Sequence, residues 1–259
     1  MASQWDRIVD DLALSTPART AERAVTETLN LLLPTSCAVC ETADQRLCRQ
    51  CRSTLNRLLH YPPVPRQLRM VVELPAYQRG ILACAAGMYA NELARAILAF
   101  KNHQRLFLAE LFAPYLAALA NTLCPPQPAG RSIWLVPVPS SHKAQATRGY
   151  WPVQQILRYA SGHGMLGPSL ECRPILKYRL ANSFAAAQKG RSGRQRREAN
   201  TALFAFDALH EGQQILLVDD VLTTGATLSA AAQICTAAGY RVIGALVVAL
   251  TPAPQGDAR

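Results

Sequence analysis

The most regular alternation of apolar and polar positions lies in the last third of the chain. Four apolar residues, Ile215 to Val218, run into Asp219 and Asp220, and small or hydroxylated residues fill Thr223 to Thr227. A run with helical apolar spacing extends from about Thr227 to Ala238, Gly239 follows it, and Val242 to Ala249 is apolar again. Short apolar runs bounded by turn residues predict buried strands, and a helical pattern ended by glycine predicts a helix with its stop. The unit is strand, helix, strand, which implies two parallel strands.

Further upstream, Ile133 to Val138 predicts another buried strand, and Pro152, Val153, Ile156, Leu157 and Ala160 predict a helix with proline in its first turn. One helix is expected around Leu93, Ile97 and Leu98, and another around Leu108, Leu111, Phe112, Tyr115 and Leu119, kinked or restarted at Pro114. Phe204 and Phe206 alternate with Ala205 as in a strand. The expected class is α/β, a parallel sheet flanked by helices.

Before this region the pattern differs. Residues 1–33 predict helix, with Trp5, Ile8, Val9 and Leu12 on one face and Val25, Leu29, Leu32 and Leu33 as a second apolar group ending at Pro34. Cys37, Cys40, Cys48 and Cys51 follow at once; Leu55, Leu58 and Leu59 then continue a short helix from Cys51, and three prolines between Tyr61 and Pro65 end it. The domains expected are a helical segment at 1–33, a cysteine module with linker at 34–65, the α/β domain at 66–251 and a flexible tail at 252–259.

The spacing C-x2-C-x7-C-x2-C sets two thiol pairs facing one ion, and two such knuckles close a tetrahedron, with zinc as the expected metal and a structural role, because protein fills every coordination place. An iron–sulfur cluster and a redox dithiol pair fit the same residues, although no strand–helix–strand pattern surrounds either C-x2-C. The other cysteines are scattered in apolar surroundings and read as buried thiols.

Half of the 259 residues are hydrophobic, enough for one full core and a small appendage. The formal net charge of +10 makes an anionic partner the expectation. Much of that charge lies between Lys177 and Arg197, a stretch with no acidic residue that suits a solvated loop, a lid over a phosphate, or a contact for single-stranded nucleic acid. Asp6, Asp10, Asp11, Glu22 and Glu27 argue against a signal peptide and for a cytoplasmic protein. The richest apolar stretch, Leu106 to Leu123, is interrupted by Glu110, Pro114 and Asn121, so no membrane span is expected.

The candidate chemistry centres on ILLVDDVLTTGATL, Ile215 to Leu228. Thr223, Thr224, Gly225, Ala226 and Thr227 can turn N–H groups and hydroxyls towards one point at the positive end of a helix, which suits a phosphate. Asp219 and Asp220, at the carboxyl end of a buried strand, need partners; ribose hydroxyls or a magnesium ion suit them. Taken alone, two aspartates starting a turn and threonines capping a helix fit the same residues.

The whole string resembles the phosphoribosyl pyrophosphate (PRPP) motif of type I phosphoribosyltransferases: an apolar strand, two acidic residues and a T-T-G-A-T phosphate loop. LNLLLPTSCAVC at Leu29 to Cys40, AILAFKN at Ala96 to Asn102, VPVPSSHKAQATRGY at Val136 to Tyr150, and Gln188 to Asn200 with Arg196, Arg197 and Asn200 resemble segments of the ComF (GntX-like) family, which joins a zinc-binding segment to a phosphoribosyltransferase-like domain. That resemblance implies catalytic and ribose-contacting roles for Asp219 and Asp220, a 5-phosphate held at Thr223 to Thr227, magnesium brought with PRPP, and Lys143 and Arg148 beside the pyrophosphate. It also implies an association with natural competence and the handling of incoming DNA. Two features depart from the family pattern: only Lys143 and Arg148 are basic between V-P-V-P and R-G-Y, and Trp151-Pro152 stands where Asn-Gln is common. The alternative is a non-catalytic nucleotide or PRPP sensor whose basic segment and zinc module bind single-stranded DNA or a DNA-processing protein.

Overall fold

The computed structural model of the chain describes residues 36–74, 79–124, 126–128, 130–139, 149–178, 203–205 and 212–251. The helix expected at 1–33, the tail at 252–259, Lys143, Arg148 and the basic segment beyond Lys177 lie outside the described residues. The chain divides between Arg52 and Ser53 into two units.

In the first unit the chain doubles back over the cysteines. Ser36 bridges Ala43 in antiparallel fashion, the Cys37 N–H donates to the Thr42 carbonyl at 2.8 Å, and the Ala38 N–H donates to that of Arg46 at 3.1 Å. Glu41 and Asp44 take positive φ of 63° and 61° in the turns this requires. Helix α1, Arg49–Leu58, begins in this unit and continues past the division.

The second unit is built on a six-stranded sheet ordered β1-β2-β8-β7-β3-β4: Arg69–Leu74, Arg79–Met88, Arg241–Leu250, Gln214–Leu222, Ile133–Pro137 and Leu170–Cys172. All neighbours are parallel except β1, which pairs antiparallel with β2 at one edge. β5 (Leu176–Tyr178) and β6 (Leu203–Ala205) form a separate antiparallel pair. Helices α2 (Asn91–Asn102), α3 (Leu108–Leu123), α4 (Pro152–Gly162) and α5 (Ala226–Ala237) complete the unit. α3 packs on α4, β2 and β8, α4 on β3, β4 and β7, and α5 on β1, β7 and β8. The parallel α/β class expected from the pattern is present.

Central strands buried on both faces explain the unbroken apolar runs: Ile133 to Val136 and Ile215 to Val218 are all buried. Gly87 in β2 admits the main chain of Leu58; a Cβ there would stand 2.7 Å from the Leu58 carbonyl oxygen. Three expectations change in detail. The strand expected at Ile215 to Val218 runs on to Leu222, because Val221 and Leu222 continue the ladder with Ala249 and Leu250. α3 is continuous through Pro114: one N–H is missing, but buried Leu111, Phe112, Tyr115 and Leu116 hold its flanks. Leu98 is 44% exposed and off the buried stripe of Leu93, Ile97 and Phe100. The β1–β2 hairpin, β4 and β5 carried no strand expectation.

Candidate functional site

The chain moves outward in opposite directions from β3 and β7: β3 leads to β4 on one side, and β7 to β8 on the other. A parallel sheet opens a crevice at the carboxyl ends of two such strands. The V-P-V-P segment ends β3 there and the aspartates lie in the last part of β7, with the two strands tied together by the Val138 N–H donating to the Val218 carbonyl at 2.8 Å.

Because β7 continues to Leu222, Asp219 and Asp220 sit on a strand and face opposite sides of the sheet. Asp220, 7% exposed, is the one buried charged residue among those described. Its partner is Lys101 in the last turn of α2, with Nζ 3.0 Å from each carboxylate oxygen. Asp219 is half-buried, and its Oδ1 accepts the Asp220 N–H at 2.8 Å. Burial first, and then the Asp220 charge, raise the Asp219 carboxyl to about 8; the Asp220 N–H and Lys101 only partly offset this. Burial and the neighbouring carboxylate thus favour the protonated, hydrogen-bond-donating form of Asp219.

After Leu222 the chain enters the small-residue loop. Thr223, Thr224, Ala226 and Thr227 are exposed, and Gly225 is buried at φ 80°. That φ suits glycine, and a Cβ there would stand 3.1 Å from a Val72 methyl. Thr224 Oγ1 accepts the Ala226 N–H at 3.4 Å, and the Gly225 carbonyl accepts from Ser229 at 2.8 Å, opening α5. The exposed face of the loop is the positive end of a twelve-residue helix, an arrangement that favours an anion.

The R-G-Y turn reaches the same corner. The Tyr150 hydroxyl donates to the carbonyl of Phe100, the residue before Lys101, and the Trp151 indole donates to the Val138 carbonyl at 3.0 Å. Trp151 thus anchors the end of the V-P-V-P segment.

Sequence reasoning missed Lys101. AILAFKN stood out only as a basic turn, and a lysine in a last helical turn reads by default as a complement to the helix dipole. Its partner lies 119 residues away, beyond the reach of any local pattern.

In the first unit, the sulfur atoms of Cys37, Cys40, Cys48 and Cys51 all lie within 4.8 Å of one another. Cys40 and Cys48 Sγ are 3.7 Å apart, close to the edge of about 3.8 Å that a tetrahedron with 2.3 Å metal–sulfur bonds requires. The Cys48 and Cys51 N–H groups point at Cys37 Sγ and Cys48 Sγ, at 3.5 Å and 3.4 Å. The Thr42 hydroxyl, 3.1 Å away, leads the contacts that lower the Cys40 thiol to about 6, whereas burial first, and then its cysteine neighbours, push that of Cys51 up. The cluster can hold a metal ion. No helix among the described residues is long and apolar enough to cross a membrane.

No family model matches the chain. Over 42 residues, 16% of its length, it is 50% identical to adenine phosphoribosyltransferase of Frankia casuarinae, covering 22% of that protein. Over 38 residues, 15% of its length, it is 55% identical to adenine phosphoribosyltransferase of Rhodococcus jostii, again covering 22%. The chain thus spans about a fifth of the curated relatives it matches. A crystal structure of adenine phosphoribosyltransferase aligns over 78% of this chain and 89% of that one, at 14% identity and a TM-score of 0.32.

Proposed function

We propose that this chain is a phosphoribosyltransferase-like protein of the ComF (GntX-like) kind that binds PRPP or another ribose 5-phosphate ligand where β3 and β7 end. The observation that carries the reading is the sequence of parts along β7: two carboxyl groups at the switch point, then exposed threonines and a left-handed glycine opening a helix. The local identity to adenine phosphoribosyltransferases supports it. In this reading Asp219 and Asp220 meet the ribose 2′ and 3′ hydroxyls, the first able to donate and the second to accept, and Thr223 to Thr227 hold the 5-phosphate. In turnover, a nitrogen nucleophile bonds to the anomeric carbon as the bond to pyrophosphate breaks, with Lys143 and Arg148 beside the departing charge.

The carboxyl pair does not by itself fit a magnesium ion. Magnesium needs octahedral oxygen coordination, yet both Asp220 oxygens face Lys101 and one Asp219 oxygen accepts an N–H. Magnesium in this reading would come with PRPP and would supply neutralisation of the pyrophosphate charge. Zinc at the four cysteines, a cytoplasmic location and a part in natural competence belong to the same proposal.

One observation favours a second reading, the non-catalytic sensor with single-stranded DNA or a DNA-processing protein as partner. Lys143 and Arg148 are the only basic residues between Val138 and Tyr150, a thin set for stabilising a leaving pyrophosphate. Calorimetric titration with magnesium and PRPP, against a folded D219N/D220N variant, tests the site. Binding lost in the variant is the expected result, and no binding by the wild type would overturn the proposal. Steady pyrophosphate release with a nitrogenous base would then select the enzyme over the sensor.

A further inference from the structure

One cationic side chain, Lys101, reaches the buried carboxylate of the aspartate pair. The Lys101 ammonium is 3.0 Å from both oxygens of Asp220, the side chains being 26% and 10% exposed. A lysine side chain has several freely rotating bonds and ordinarily keeps its charge in water, so holding it over a buried carboxylate costs conformational entropy and hydration. The fold meets that cost with a specific brace. Phe100, one residue earlier, is buried, and its carbonyl accepts from the Tyr150 hydroxyl, which ties the last turn of α2 to the R-G-Y turn. The His103 N–H bonds the Ala99 carbonyl at 3.0 Å and closes the helix two residues after Lys101.

From this geometry we infer that Lys101 is the resident cation of the carboxyl pair, so that the site takes the ribose 5-phosphate part of its ligand without a divalent metal. The inference rests on the proposed phosphoribosyl site and goes beyond it by assigning the charge balance to a side chain of the protein. A buried carboxylate at a ligand crevice must be balanced or it repels an incoming phosphate; a metal ion is one solution, and a lysine fixed over the carboxylate is another. Here the ammonium already occupies the Asp220 oxygens that a metal would need. The Lys101 charge also acts on Asp219, in the strand that leads into the small-residue loop, and adds to the positive field that draws a phosphate to the crevice. Lys101 thus acts as a positioning residue for Asp220 and as a charge at the site.

The test uses the full chain and ribose 5-phosphate, which lacks the pyrophosphate that would itself bring magnesium. Calorimetric titration is run in EDTA and again in millimolar magnesium for wild type, K101Q and K101R, with thermal unfolding to verify that each is folded. The wild type should bind with the same affinity, within about threefold, in both buffers. K101Q, which loses a charge-assisted contact, should bind about tenfold or more weakly in EDTA, regain part of that loss in magnesium, and fall below K101R, which keeps the charge. Wild-type binding that drops about tenfold in EDTA, or K101Q binding as the wild type does, overturns the role of Lys101 and leaves the phosphoribosyl site standing. Absence of wild-type binding to ribose 5-phosphate in both buffers, with PRPP still bound, overturns this inference alone; absence of binding to either ligand overturns the proposed function with it. The two wild-type titrations decide the metal question even if neither variant folds.

Discussion

Replacing Gly225 by alanine probes the loop with one methyl group. The residue sits at φ 80°, where a Cβ crowds its own backbone at a cost of about 1–2 kcal/mol. The new Cβ would also stand 3.1 Å and 3.4 Å from the two Val72 methyls and 3.6 Å from Leu222 Cδ1, and Val72 is 2% exposed, so a shift by a few tenths of an ångström must be absorbed by packed neighbours. Crowding of that kind adds about 1 kcal/mol. Lower freedom of alanine in the unfolded chain returns about 0.5–1 kcal/mol. The net expectation is a loss of about 1–2 kcal/mol, read by urea unfolding at constant m-value, with a melting point lower by about 2–4 °C per kcal/mol at this chain size. The two causes separate in a V72A background: the steric part should vanish and the backbone part remain, giving a coupling of about 0.5–1 kcal/mol. G225A as stable as the wild type would refute the requirement for a left-handed residue, and an unchanged cost in V72A would refute the steric part.

Other perturbations test other parts of the molecule. In the unfolded chain Asp219 ionises near 4, whereas burial and Asp220 raise it to about 8 in the fold, so between these values the unfolded state holds fewer protons and stability falls as pH rises. The urea midpoint of D219N should therefore decline less from pH 5 to pH 8 than that of the wild type, and parallel declines would show that the native carboxyl is not raised. The cysteine cluster should copurify with about one zinc per chain, released by a thiol reagent and reduced in C40S and C48S; a protein with four freely titrating thiols and no metal would contradict this. Gly87→Ala places a Cβ 2.6 Å from Leu93 Cδ2 and 2.7 Å from the Leu58 carbonyl oxygen, and since that carbonyl is main chain the loss should be about 2–3 kcal/mol; a variant within about 0.5 kcal/mol of wild type would mean that the close approach relaxes cheaply.

The parts legible in the sequence were those whose pattern is local. β7, α5 and β8 follow one another with only three residues at each junction, and the apolar runs of the two strands are buried, so strand, helix and parallel pairing could be read directly. The cysteine spacing is likewise local, and its sulfur atoms do gather. β1 and β4 are edge strands, where one side has no sheet neighbour and the alternation is weak: Val71 is 56% exposed, and Glu171 and Cys172 are only half-buried. The end of β7 was placed too early because Asp219 and Asp220 carry turn-like chemistry, while the ladder to β8 that overrides it depends on residues some thirty positions later. Lys101 was out of reach for the same reason on a larger scale.

Lys101 also weighs between the two accounts that the acidic pair admitted from the start. If Asp219 and Asp220 only began a turn and the threonines only capped α5, the aspartates would be expected near the loop's own N–H groups, with water for their remaining oxygens. Instead the ladder continues past them, Asp220 is buried, and the fold brings a cation to it from another helix. A partly buried ion pair is a poor device for stability, since the charges give up hydration that their attraction barely returns, and an apolar pair at the same place would serve the core at least as well. The pair is better explained by what lies next to it: the carboxyl ends of β3 and β7 at a switch point, an exposed helix terminus and a carboxyl group whose proton affinity is raised by burial and by Asp220. Each of these can engage a phosphate or a sugar hydroxyl, and none of them is needed for a turn.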